Sequence, residues 1–167
     1  LLLWATGAGA WAAPVSILAA LLQALRVGGW NPWATRKTPL VWILHLSYMW
    51  IPTGLALIAL AQLGVLPRTA GIHALAIGAT GGLIIGMMTR TALGHTGRML
   101  AAGPIETAAY VLVQLAAVTR VLTVVVIPAA VLAGVHAAAT LWALGFALYL
   151  WRYTPFLLRA RVDGKAG

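Results

Sequence analysis

The sequence predicts an all-α fold: a polytopic transmembrane helix bundle of about five spans in this fragment. Three observations predict it. Hydrophobic residues make up 62% of the 167 positions and charged residues 8%, with a mean hydropathy of +0.96, whereas a soluble domain has roughly a quarter of its residues charged. The apolar runs last about 20 residues without the alternation of a barrel strand, and a bilayer admits only helices or closed barrels. The basic residues gather at the ends of those runs. That placement argues against nucleic acid as a partner despite the net charge of +9, because such a surface needs a basic face or arm.

In chain order the spans are expected at about 2–25, 40–62, 71–89, 105–127 and 129–151, within a single transmembrane domain covering 1–167. The chain opens at Leu1 directly on a hydrophobic run with no basic segment before it, which does not read as a signal peptide. It is expected to be the C-terminal portion of a longer parent. The first connector, "RVGGWNPWATRKTP", carries turn chemistry at Asn31-Pro32, and the second, "GVLPRTAG", is a tight turn with Pro67. Pro52 inside the second span is expected to kink it. Between the fourth and fifth spans only Pro128 interrupts the apolar sequence, and Gly134 is the alternative turn.

Five spans place Arg26, Arg36, Lys37, Arg90, Arg98, Arg152, Arg159, Arg161 and Lys165 on one side, and Arg68 and Arg120 on the other, accounting for all 11 basic residues. The positive-inside rule makes the first side cytoplasmic, with the fragment's N-terminus outside. Trp30, Trp33 and Trp42, then Tyr149, Trp151 and Tyr153, are expected as an interfacial belt on that side, while Trp50 lies near mid-span. In the third span Ala74, Gly78, Gly82 and Gly86 recur every four residues. Such a stripe lets helix backbones approach closely in lipid, or leaves room for a flat cofactor.

Ionisable groups at membrane depth are costly and mark candidate functional sites. Arg120 and His136 are each expected roughly 10 Å below the outer surface, with His73 near the same surface, forming an outer cluster. His45, with Met49 one turn along the same face, and His95, beyond the cytoplasmic end of the third span and flanked by Arg90 and Arg98, form an inner cluster. Imidazole with methionine suits haem iron or copper, and arginine suits an anionic partner such as a propionate. The candidate metal ligands are therefore His45, His73, His95, His136 and Met49, and the candidate cofactor-binding residues are His45, His73, His95, Arg90, Arg98 and Arg120. Helix–helix hydrogen bonding is the alternative role for each histidine, and snorkelling to the outer surface the alternative for Arg120. Glu106 and Asp163 are the only carboxylates, so no acid–base pair or carboxylate proton relay can be built. No catalytic residue is assigned, and Glu106 suits the helix N-terminus that follows Pro104.

The segment "MMTRTALGHTGR" (87–98) resembles the signature of the NnrS family of bacterial inner-membrane proteins. The likeness extends to "PLVWILHLSYMWIPTGLAL", "GIHALAIGATGGLIIGMM", "LWALGFALYLWRYTPFL" and the ending "RVDGKAG", nearly the whole chain. The resemblance implies a multi-pass inner-membrane protein containing haem and copper, associated with the response to nitric oxide and with denitrification. It matches His45, His73 and His95 to family motif segments, with Arg90 and Arg98 around the last; His136 has no such match. The implied partners are the lipid bilayer, the missing N-terminal helices of the parent and nitric oxide as a ligand. Two other functions compete: a transporter or channel with an anion or substrate path past Arg120, and a structural subunit of a respiratory membrane assembly.

Overall fold

The computed structural model describes residues 11–164. Residues 2–10 of the first expected span, and Lys165, lie outside the described residues. Among the described residues there are five helices: α1 (Ala12–Gly28), α2 (Pro39–Gln62), α3 (Arg68–His95), α4 (Pro104–Val126) and α5 (Val131–Leu157). Short 3-10 turns at Pro32–Thr35 and Pro128–Ala130 precede α2 and α5, and no strand occurs among the described residues. The helices α2, α3, α4 and the stretch Pro128–Leu157 are long and apolar enough to cross a membrane. Described α1 has 17 residues and is shorter.

Proline and glycine set the ends. Pro39 and Pro104 open α2 and α4, where a missing N–H costs nothing. Gly64 and Gly97 end α2 and α3 in the left-handed region, at φ 75° and 72°. At Gly97 the Arg98 N–H donates to the Leu93 carbonyl (2.9 Å) and the Gly97 N–H to the Gly94 carbonyl (3.2 Å), a complete Schellman cap. The helix therefore runs six residues past the expected end at 89, and His95 sits on its last turn rather than beyond it. The turn before α5 is at Pro128; Gly134 is buried against Thr123 instead.

Consecutive helices run antiparallel in a readable register. Tyr48 Oη donates to Gln23 Oε1 (2.8 Å) and Ser16 Oγ to Gln62 Oε1 (3.3 Å), tying α1 to α2. Gly71, Gly78, Gly82 and Gly86 of α3 meet Ile58, Trp50, Ser47 and Ile43–Leu44 of α2 in reverse order. Gly134 and Gly145 of α5 meet Thr123 and Val113 of α4 in the same way. The glycine stripe of α3 thus packs against protein. Ala74–Gly81, in the middle of α3, is a π-helix. In a plain α-helix an every-fourth-residue stripe drifts by ~40° per step, and the wider π turns offset that drift, keeping Gly71 through Gly86 on α2.

The core joins Leu40 and Ile43 of α2, Ile85, Ala92 and Leu93 of α3, Tyr110 and Val113 of α4, and Tyr149 and Tyr153 of α5. The two tyrosines depart from the expected belt. They stack at 4.7 Å on the core face, one turn apart and buried, while Trp151 between them is exposed. Trp42 likewise turns its ring edge-on to Tyr110, leaving Trp30, Trp33 and Trp151 at the surface.

A Cβ on Gly82 would fall on Ser47 Oγ and Gln114 Nε2, whereas one on Gly94 meets nothing within 4 Å. Gly82→Val is expected to lower stability by about 1–3 kcal/mol through overpacking, and Gly94→Ala to raise it by about 0.5–1 kcal/mol through chain entropy. Thermal unfolding in detergent, followed by circular dichroism, checks both.

Candidate functional site

Polar groups of the bundle fall into three sets at different depths. The first lies mid-bundle, where α2, α3 and α4 meet. Trp50 Nε1 donates to Gln114 Oε1 (2.8 Å), and Gln114 Nε2 donates to Ser47 Oγ (2.9 Å). Ser47 is fully buried and Gln114 nearly so. Gly78 makes room for the Trp50 ring and Gly82 for the Ser47–Gln114 pair. Buried polar groups in hydrocarbon must find such partners, and this chain of bonds explains the mid-span tryptophan. Sequence reading missed Ser47 and Gln114; the available signal was a lone amide inside an apolar run.

The second set forms the basic end, where Arg26, Arg36, Lys37, Arg90, Arg98, Arg152, Arg159 and Arg161 gather by helix direction. Glu106 caps α4 by accepting from the Gly103 N–H (2.9 Å), as its position after Pro104 suggested. It also accepts from Arg152 Nε (3.2 Å) and Tyr153 Oη (3.1 Å) of α5, two partners that the sequence alone did not reveal. Arg98 and Arg152 both lie over the Phe156 ring, at 3.8 and 4.8 Å. The segment after α5 folds back on the end of α3: Arg161 donates to the His95 carbonyl (3.1 Å) and the Val162 N–H to the Thr96 carbonyl (3.3 Å). Asp163 pairs with Arg161 through both oxygens, at 2.9 and 2.7 Å, which pushes the Arg161 pKa upward and keeps it charged.

The expected inner cluster spreads around this end. His45, half-buried, faces the connector between α1 and α2, with Nδ1 3.3 Å from Thr35 Oγ1 and its ring edge-on to Trp30 at 5.9 Å. The Thr35 hydroxyl hydrogen is already given to the Pro32 carbonyl (2.8 Å). With that hydrogen on Pro32, the Thr35 oxygen is free to accept from His45 Nδ1–H, the tautomer that leaves the lone pair on Nε2. Met49 is exposed one turn along. His95 is exposed on the other side of the end, lining a groove of about 500 Å³ with Met87, Met88, Thr91 and Tyr149. Arg90 is exposed as well.

At the opposite end His73 and Arg120 come within electrostatic range of each other. His73 Nδ1 donates to the Thr69 carbonyl (2.5 Å), again leaving Nε2 unprotonated in the neutral ring. Arg120 is half-buried, and its Nη1 is wholly buried with no hydrogen-bond partner among the described residues. His136 lies level with Arg120 on α5, but its side chain is exposed. Nowhere among the described residues do three or more His, Cys, Asp or Glu side chains converge as a metal-ion site would require.

Glu106→Ala removes the α4 cap and leaves the buried Tyr153 hydroxyl without its acceptor. A loss of about 1–3 kcal/mol is expected, less than for a sealed ion pair because the Arg152 side chain is 43% exposed. Glu106→Gln should recover part of it. Thermal unfolding of the two variants beside the parent measures the difference.

Compared with known proteins, the chain matches the family model described as NnrS protein over residues 1–161. No curated protein and no solved structure matches it.

Proposed function

The chain belongs to the NnrS family, and on that premise we propose that it is part of an integral membrane haem protein of the bacterial nitric oxide response, with His45 taking the iron through Nε2. The observation that carries this reading is the Thr35–His45 contact. Ligand histidines are oriented by donating their other ring N–H to a fixed acceptor, and the Pro32–Thr35–His45 relay of hydrogen bonds has that form. Arg36 and Lys37 flank it in sequence, and Arg26 lies 5.5 Å from the Trp30 ring centroid, supplying cations for anionic propionates. His73 has the same tautomer, but the Arg120 charge beside it disfavours a metal cation.

These residues fit a haem held by one histidine, an arrangement that needs no cluster of protein ligands. When bound, the haem supplies the iron chemistry that takes up nitric oxide. The chain's own part would be to orient the imidazole through Thr35 and the edge-on Trp30 ring and to hold the propionate charges at the surface. For copper, His45 and Met49 offer two donors one turn apart on α2, and further ligands would have to join them. The inner membrane is the proposed location, with the basic end cytoplasmic by the positive-inside rule.

The full-length parent, purified in mild detergent from cells supplied with haem, tests the assignment by its Soret absorbance per protein. His45→Ala is expected to lose the band, and Thr35→Val to weaken haem retention by about 10–100-fold, the usual effect of removing an orienting partner. His95→Ala and His136→Ala should keep full haem content. Undiminished haem in His45→Ala would sink the assignment.

A further inference from the structure

We infer that the end of the bundle opposite the basic end holds an oxyanion site built on Arg120, with His73 beside it. The stripe of α4 that faces the bundle runs Val113, Ala117, Arg120 and Val124, spaced four, three and four residues apart, and its three apolar members are buried. A guanidinium thus continues a core stripe. Its Nη1 is sealed from solvent with no acceptor among the described residues, a condition that buried charged donors rarely tolerate.

Residues 1–167 contain two acidic side chains, and both are committed at the other end, Glu106 to Arg152 and Asp163 to Arg161. Along α4 alone, Glu106 lies fourteen residues from Arg120, about 21 Å. Across the interface stands His73, a second basic side chain whose Nδ1 is held by Thr69. Two basic groups within electrostatic range of each other, with neither acidic side chain of residues 1–167 at that end, suit an anionic ligand. Arg120 lies six residues before Val126, about 9 Å from the end of α4, within reach of that surface. The planar fork of a guanidinium matches the oxygens of a phosphate group, so the ligand class is a phosphate-type oxyanion, carried by a lipid headgroup or free in solution.

The test uses the full-length protein, delipidated in a maltoside detergent, in two arms. One arm titrates inorganic phosphate and reads the thermal shift; the other adds phosphatidylglycerol and counts retained lipid by native mass spectrometry. In at least one arm the wild type should bind about tenfold more tightly than Arg120→Gln, the worth of one charge-assisted hydrogen bond. Arg120→Lys, which keeps the charge and loses the fork, should fall between them and serves alone if the glutamine variant does not fold. A response confined to one arm assigns the anion's source. Equal binding by wild type and Arg120→Lys in both arms, or no binding by the wild type in either, would overturn the inference and leave water as the partner of Nη1.

Discussion

Two missing side chains, at Gly78 and Gly82, set the spacing on which the rest of this bundle depends. In lipid, helices gain little from burying hydrocarbon against one another, so close backbone approach and hydrogen bonds between helices have to supply the adhesion. Gly78 admits an indole and Gly82 admits a serine–amide pair, so the Trp50–Gln114–Ser47 chain can pass between α2, α3 and α4 without leaving a polar atom in hydrocarbon. The core tyrosines and the Glu106 network stack towards the basic end from this junction, and the Arg120–His73 pair lies on its other side.

The architecture was largely legible in the sequence because a bilayer leaves few choices. Length, hydropathy and charged ends specify helices, and proline and glycine punctuate them. Helix ends were less legible. The third span was expected to end at 89, yet the polar residues that follow are compatible with helix until Gly97 supplies the left-handed turn. Tyr149 and Tyr153 read as belt residues because aromatics near a span's end usually face headgroups. Only the position of Glu106 on the neighbouring helix shows why Tyr153 turns inward.

The site was legible by residue type and not by arrangement. Depth along a helix can be counted, and it placed Arg120 level with His136 and put His73 towards the same end. Azimuth around the bundle depends on packing, so His45 and His95, similar in depth, open on different sides. The orienting partners of the histidines, Thr35 and the Thr69 carbonyl, come from a turn and from a backbone group. Neither is marked by any pattern of side chains.

The π-helix in α3 carries a consequence for how the two ends of that helix relate. A helix turns by about 100° per residue, so whatever winding is relaxed between Ala74 and Gly81 resets the rotational phase of everything on one side relative to the other. His73 stands at one flank of this segment, while Thr89 and His95 stand beyond the other. The helix works as a shaft with a slipped key. Rewinding those turns to the ordinary α pitch would leave every side chain chemically intact and rotate His73 about the axis relative to Gly82–His95, so the neighbours His73 meets are encoded in the winding as much as in residue identity.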